Sequence, residues 1–319
     1  MGRCLKLPPR LIKALAVSTF VILIIEVTFY RHSYMERPWR EKKQYLARYT
    51  STRRAELLKE LCGPRNYSME LLLLNNSSIF AQKKLGVLFC VPPKAGTSSW
   101  MLFLQRFASG SDNEYIQHPH TRSFIRERGI KPIEAHRLPK EYFGFYKLLQ
   151  VRHPFTRLIS AYNDKVFHRD GEIDESGRGR ILCNAFKKGL SPTWVQFAEL
   201  VANRNSSCMN KHWMPYSKVC PVCDMEFDAV TKIETISADV NDFFKRHNIS
   251  DKFHFDQYHV STGEPGKTTE DYMNELPEDV LTKLKMMFKT DMELFGYEID
   301  SDRRLSCRYQ VRDAEQWRC

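Results

Sequence analysis

Acidic side chains are in short supply: 38 Asp+Glu face 49 Lys+Arg, a formal net charge of +11 over 319 residues. Net charge speaks of partners rather than fold, so the excess raises nucleic acid, polyanions and membrane surfaces without choosing among them. Internal repeats and low-complexity tracts are missing, which excludes a solenoid and a disordered tail. Nine cysteines in a chain of this length do not make a disulfide mini-protein. The spacing G-x-x-x-x-G-K-S/T is absent, which argues against a nucleotide triphosphatase of the Walker type. No second close pair of Cys or His accompanies Cys220-Pro-Val-Cys223, and no carboxylate cluster has metal-ligand spacing, so nothing demands a metal. What is there suffices for a packed fold: 42% of residues are hydrophobic, and 20 Phe, 14 Tyr and 5 Trp can fill a core. At ~100 to 200 residues per domain the length allows one large domain with appendages or two small ones.

The basic excess is unevenly placed. Residues 1–65 carry 14 Lys/Arg against 5 Glu, a net of +9, which leaves +2 for residues 66–319. Inside that remainder, residues 83–157 hold 13 basic and 5 acidic side chains, while residues 158–319 hold 22 and 27. The single long apolar run, ALAVSTFVILIIEVTFY from Ala14 to Tyr30, follows Arg3, Lys6, Arg10 and Lys13. Its length is at the short end of the ~17 to 25 residues that cross a bilayer. Basic residues before the run predict a cytosolic tail over 1–13, a signal-anchor over 14–30 and a lumenal remainder. A cleaved signal peptide is the competing reading; no small-x-small site follows the run, which favours retention. Five Asn-x-Ser sequons, at Asn66, Asn75, Asn76, Asn205 and Asn248, agree with a lumenal glycoprotein. Eight of the nine cysteines lie beyond the run, an even number that an oxidising lumen would pair. Disulfide use is accordingly the expectation for Cys220 and Cys223, with each other or with other cysteines, and Cys90 in its apolar run is expected to be free.

Residues 31–82 read as a stem, rich in Arg, Lys, Glu and Tyr with few large aliphatics before Leu57. From Lys83 onward apolar runs alternate with helical patterns, which predicts an α/β domain over 83–319 with a central parallel sheet flanked by helices. Strands are expected over Leu85–Val91 and Phe145–Val151, and helices over Ser191–Asn203, with Ser191 as N-cap, and over Leu281–Phe295. Trp194, Phe197, Met286, Met287 and Phe288 are assigned to core packing.

Two stretches look built for anions. VPPKAGTSSW, Val91 to Trp100, follows the first strand with a Pro/Gly turn that bears Lys94 and opens the helical pattern of Ser99–Phe107. Backbone N–H groups at a helix start, the helix dipole, the Lys94 ammonium and the hydroxyls of Thr97, Ser98 and Ser99 can converge on a phosphate or sulfate. A plain strand-to-helix turn would explain the Pro, Gly and Ser but not the Lys at the strand end. RHPFTRLISAYNDK, Arg152 to Lys165, repeats the layout after the second strand, with Arg152 at the carboxyl end where ligands of open α/β sheets collect. Arg157 and Ser160 follow on its helix, and an arginine fork with a serine hydroxyl can grip a second phosphate.

These residues resemble the Golgi carbohydrate sulfotransferases, the family that includes the HNK-1 and chondroitin/dermatan 4-O-sulfotransferases. PKAGTSSW is similar to that family's 5'-phosphosulfate loop and RHPFTRLISAYNDK to its 3'-phosphate motif. Further similar stretches are IEAHRLPKEY, KHWMPYSKVCPVCDMEFDAVTKIET and TDMELFGY, so the likeness covers most of residues 83–297. It departs at Thr97, where the family often has Cys, and at His153, where it often has an acid. The resemblance implies a P-loop-NTPase-like sulfotransferase fold and a Golgi membrane protein of single-pass type II topology with a lumenal catalytic domain. It implies 3'-phosphoadenylyl sulfate (PAPS) as donor, with Pro93, Lys94, Ala95, Gly96, Thr97, Ser98 and Ser99 on the phosphosulfate and Arg152, Arg157 and Ser160 on the 3'-phosphate. The acceptor it implies is a sugar hydroxyl, on GalNAc or a related residue at the 4-O or 3-O position, in a glycosaminoglycan or glycoprotein glycan. Neither a metal nor a nucleic-acid partner is expected.

In-line transfer needs charge stabilisation on the leaving oxygen, for which Lys94 is the choice, and a base for the hydroxyl proton. Histidine suits that task, and His118, His120, His136, His153 and His212 are the candidates. His136 in IEAHRL is favoured, because the segment resembles the place where related glycan 2-O-sulfotransferases keep their base; His212 is next. Two competing classes stay in view: a membrane-tethered, catalytically inactive glycan-binding protein, and a P-loop kinase. The kinase would need Ser or Thr directly after its lysine, where this chain has Ala95.

Overall fold

Apolar runs buried on two sides set the frame. VLFC (β2, Val87–Cys90) is buried along its whole length, and the last four residues of YKLLQV (β4, Tyr146–Val151) are buried as well. Such runs lack the polar alternation of a half-solvated strand because helices cover both faces of a parallel sheet. The computed structural model describes residues 50–64, 78–116, 119, 126–133, 138–167, 192–204, 209–256 and 264–307. Among them β2 and β4 pair in parallel, and β4 pairs in parallel with β5 (Ala229–Lys232). Two antiparallel strands extend the sheet on the side of β2: β1 (Ile79–Gln82) pairs with β2, and β3 (Ile130–Pro132) pairs with β1. The order is β3-β1-β2-β4-β5. The parallel sheet expected from the sequence is thus the centre of a mixed one.

Side chains alternate between two cores. Val87, Phe89, Val91 and Leu148 point into a cluster with Trp100, Phe103 and Leu104 of α2 (Thr97–Ser109) and Phe243 of α5 (Ile236–Arg246). Leu88, Cys90, Leu149 and Val151 face the opposite way, against Ala55 and Leu58 of α1 (Ser51–Cys62) and Phe295 of α7 (Glu278–Phe295). A third cluster joins α3 (Pro154–Lys165), α4 (Trp194–Ala202), α6 (Thr269–Asn274) and α7. A two-stranded ribbon of β6 (Tyr297–Ile299) and β7 (Leu305–Cys307) follows α7.

The folded unit reaches upstream of the expected boundary at residue 83. Strand β1 is a sheet member, and α1 is fastened by the fork of Arg54 on Asp239 at 2.5 and 2.9 Å and by the disulfide Cys62–Cys223. A charge-rich helix reads as solvated spacer in sequence, whereas only its Ala55 and Leu58 stripe and one arginine have to meet the domain. Cys90 is not free: it is bonded to Cys220, so the two cysteines of CPVC staple two different elements instead of each other. Thr193, not Ser191, caps α4, in a reciprocal capping box with Gln196. Trp194, Phe197, Met287 and Phe288 are buried, but Met286 is 69% exposed because it falls on the outer side of α7.

Residues 14–30, the expected anchor, lie outside the described residues, as do Asn66, Asn75, Asn76 and Asn205; among the described residues no helix is long and apolar enough to cross a membrane. Asn248 is described, exposed, and left-handed at φ 51° just past the end of α5.

Candidate functional site

The parallel strands β2 and β4 end side by side, and the chain leaves each through a basic loop into a helix. Two left-handed residues shape the first loop, Lys94 at φ 68° and Gly96 at φ 85°. A lysine in that region is strained, by ~1 to 2 kcal/mol, and such strain concentrates at functional sites. At Gly96 a Cβ would stand 2.8 Å from Cδ1 of Ile233, so a side chain there would have to push the isoleucine aside. Gly96 is also the N-cap of α2 and offers no side-chain cap to the first turn. Ala95 N–H closes the turn onto the Pro92 carbonyl at 3.2 Å. The Thr97 hydroxyl, counted among the anion ligands from sequence, instead donates inward to Pro92 O at 2.8 Å. Ser98 and the buried Ser99 occupy the first turn of α2.

Arg152 brings the second loop to the first. Its guanidinium donates to the Lys94 carbonyl at 3.2 Å and to Thr156 Oγ1 at 3.1 Å. Stretches 58 residues apart in sequence therefore share one cationic end of the sheet. Ser160 sits buried on α3. Arg157 lies deeper than the sequence reading placed it. Only 1% exposed, it donates to three backbone carbonyls, Pro93 at 3.0 Å, Met214 at 2.7 Å and Lys211 at 2.6 Å. Its plane also covers the ring of Tyr216 at 4.7 Å. Arg157 is thus a clamp behind the loop rather than an open hand.

Lys94 faces the carboxylate of Asp164, 3.1 Å away, and Asp164 also binds Lys165 at 2.9 Å. Burial pulls the Lys94 ammonium below the ordinary lysine range, opposed by Asp164. Burial pushes Asp164 the other way, but the charges of Lys94 and Lys165 outweigh it and hold the carboxyl below its usual range. The arrangement is an ion pair that an incoming anion can exchange, phosphate or sulfate replacing carboxylate on Lys94.

A model of the sulfotransferase family matches residues 77–298. The chain belongs to that family. Among curated relatives, carbohydrate sulfotransferase 14 of Danio rerio is 25% identical over 280 residues, which cover 80% of this chain and 74% of that protein. Carbohydrate sulfotransferase 10 of Rattus norvegicus is 28% identical over 275 residues, covering 77% and 75%. Carbohydrate sulfotransferase 11 of Rattus norvegicus is 25% identical over 232 residues, covering 67% and 65%. No solved structure matches the chain.

Within this sulfotransferase the histidines sort by surroundings. His136, the favoured base, lies outside the described residues, as do His118 and His120. His153 is fully buried as the N-cap of α3; its Nδ1 accepts the Phe155 N–H at 3.2 Å, so its Nε2 carries the proton and donates to the Glu298 carbonyl at 3.1 Å. Burial, with Lys232 and Arg152 nearby, pulls its pKa down to about 4. His153 does what the family's acid at this position can do for a helix start, and it is no free base. His212 is half-buried, with its ring close enough to Lys165 and Lys94 to feel their charges.

Two supporting residues were missed in the sequence. The Tyr216 hydroxyl accepts from Arg152 N–H at 2.8 Å and donates to Arg152 O at 2.9 Å, locking the exit from β4. Glu234, in the turn after β5, accepts from His153 N–H at 2.7 Å, beside the Ile233 that crowds Gly96. Both lie in the long KHWMPYSKVCPVCDMEFDAVTKIET stretch, so the resemblance pointed at them without stating their work. Among the described residues no cluster of His, Cys, Asp and Glu could hold a metal ion.

Proposed function

We propose that the chain transfers a sulfuryl group from PAPS to a hydroxyl of GalNAc or a related sugar, at the 4-O or 3-O position, on a glycosaminoglycan or glycoprotein glycan. The observation that carries the reading is the meeting of two cationic loops at the ends of adjacent parallel strands, joined by Arg152 on the Lys94 carbonyl. A donor with a phosphosulfate at one end and a 3'-phosphate at the other needs two anion grips. The loop Pro93–Ser99 and the start of α2 suit the first; Arg152 and Ser160 suit the second. Lys94 can then leave Asp164 for the bridging oxygen and stabilise the charge that develops there. The names of the relatives, all carbohydrate sulfotransferases, support a glycan acceptor. The anchor pattern, the sequons and the two disulfides support a lumenal domain on a Golgi membrane.

The test is incubation of the full chain with sulfur-labelled donor and a panel of desulfated glycans, alongside Lys94→Ala. Label should appear on one class of glycan, and the variant should bind adenosine 3',5'-bisphosphate about tenfold or more weakly while transfer falls by at least about 100-fold. Binding of glycan with no transfer to any of them would leave the inactive-lectin reading standing in its place.

A further inference from the structure

We propose that His212, oriented by Asn210, takes the proton of the acceptor hydroxyl; the inference rests on the sulfuryl-transfer reading above. Position comes first. The Arg157 guanidinium holds Pro93 O with one nitrogen and Lys211 O and Met214 O with the others. One rigid fork therefore pins the turn bearing His212 against the loop bearing Lys94. The ring's orientation is fixed from its far side. Asn210 Oδ1 accepts the His212 backbone N–H at 3.1 Å and lies 2.5 Å from Nδ1. An amide oxygen that already accepts one N–H can only accept from the ring as well, so Nδ1 carries the proton and Nε2 keeps its lone pair. Among the described residues Nε2 has no hydrogen-bond partner, whereas both nitrogens of His153 are spent.

The charged surroundings suit a base that works only with donor in place. The groups that act on His212 are the cations Lys94, Arg157, Lys165 and Lys211, with Asp164 paired to Lys94 and Lys165. Burial and those cations draw the free imidazole down to about 3. A phosphosulfate seated on Lys94 offsets the cations and returns proton affinity to the ring. In the transfer step the sugar oxygen forms the new O–S bond as its proton passes to Nε2. The bond from sulfur to the bridging phosphate oxygen breaks, its electron pair leaves with adenosine 3',5'-bisphosphate, and Lys94 supports that oxygen's charge.

The experiment uses the detergent-solubilised full chain and the variants His212→Ala, His212→Asn, Asn210→Ala and His136→Ala. Calorimetry with adenosine 3',5'-bisphosphate should show His212→Ala and His212→Asn binding as wild type does, while labelled transfer to desulfated chondroitin and dermatan falls about 100-fold or more. Added imidazole should restore part of the His212→Ala rate, in proportion to its unprotonated fraction. Asn210→Ala should lower kcat with little change in KM. Carbon-13 NMR of ring-labelled histidine, with the His212 signal identified by its loss in His212→Asn, should show that pKa rising when the bisphosphate is added. Wild-type turnover in His212→Ala overturns the assignment, as does loss of transfer without imidazole rescue. Intact binding, lost transfer and rescue in His136→Ala, with His212→Ala active, would move the role to His136. A wild-type chain that neither binds the bisphosphate nor transfers label removes the sulfuryl-transfer reading itself, a failure separate from that of His212 alone.

Discussion

The two strand-loop-helix units of the sheet carry similar sequence chemistry and put it to opposite use. After β2, the loop closes on itself and leaves its cation on an exchangeable partner: Thr97 donates to Pro92 O, while Lys94 pairs with the carboxylate of Asp164. After β4, the cations are largely turned inward. Arg157 is consumed by three carbonyls and Arg152 spends donors on Lys94 O and Thr156. The first loop is the gripping surface, and the second unit is in good part the frame that holds it in shape. Strain supports the division, since the left-handed Lys94 and Gly96 occur in the first loop and need a rigid backing to persist.

Replacing Arg157 by Met breaks the frame at its centre. The methionine fills much of the space but takes the donor from three part-buried carbonyls, at up to ~1 to 3 kcal/mol for each left unsatisfied. The expected loss exceeds about 3 kcal/mol, or roughly 10 °C in the melting temperature of a domain of this size. Bisphosphate affinity should fall with it although Arg157 touches no ligand in this account. A melt within about 2 °C of wild type would return Arg157 to the ligand side of the comparison.

Gly96 tests the gripping loop. Gly96→Ala puts a methyl against Ile233 and an L-residue at φ 85°, for a destabilisation of about 2 kcal/mol. The Ile233 side chain can shift, so the protein should still fold, with bisphosphate affinity down about tenfold because the loop backbone moves. Gly110, at the other end of α2, has φ 78° and open space around its Cβ position. Gly110→Ala should therefore share the backbone strain and spare the affinity. Equal affinity losses in calorimetry would deny the loop its special shape.

Periodicity made the central strands and long helices legible, because burial on both faces leaves a continuous apolar run in β2 and a helical stripe in α7. The two anion loops were legible because a cation at a strand end has no packing explanation. What stayed hidden was long-range. Nothing local tells that Arg157 spends its fork on residues 211 and 214, that Cys90 meets Cys220 across 130 positions, or that Arg54 of a charge-rich helix finds Asp239. Short antiparallel additions such as β1 and β3 carry too few residues to show alternation.

His153 gives the smallest and most diagnostic effect, since the frame reading makes it a cap and a base reading would make it chemistry. The folded state holds it neutral with a pKa near about 4, against 6.5 for the ordinary group. The unfolded chain takes up the proton first, so the stabilisation is complete above 6.5 and is lost as pH falls toward 4. At pH 5.5 that loss is about 1 kcal/mol relative to pH 7, by linkage at ~1.4 kcal/mol per unit. His153→Asn keeps a side-chain acceptor for the first turn of α3 and cannot titrate. Its melting temperature should match wild type within a few degrees at pH 7 and fall less on acidification. His212 titrates in both proteins and cancels from the difference, which leaves the slope to His153 alone. Parallel melting curves across this range would show that His153 is protonated while folded, and its bond to Glu298 O would then have to coexist with a broken cap.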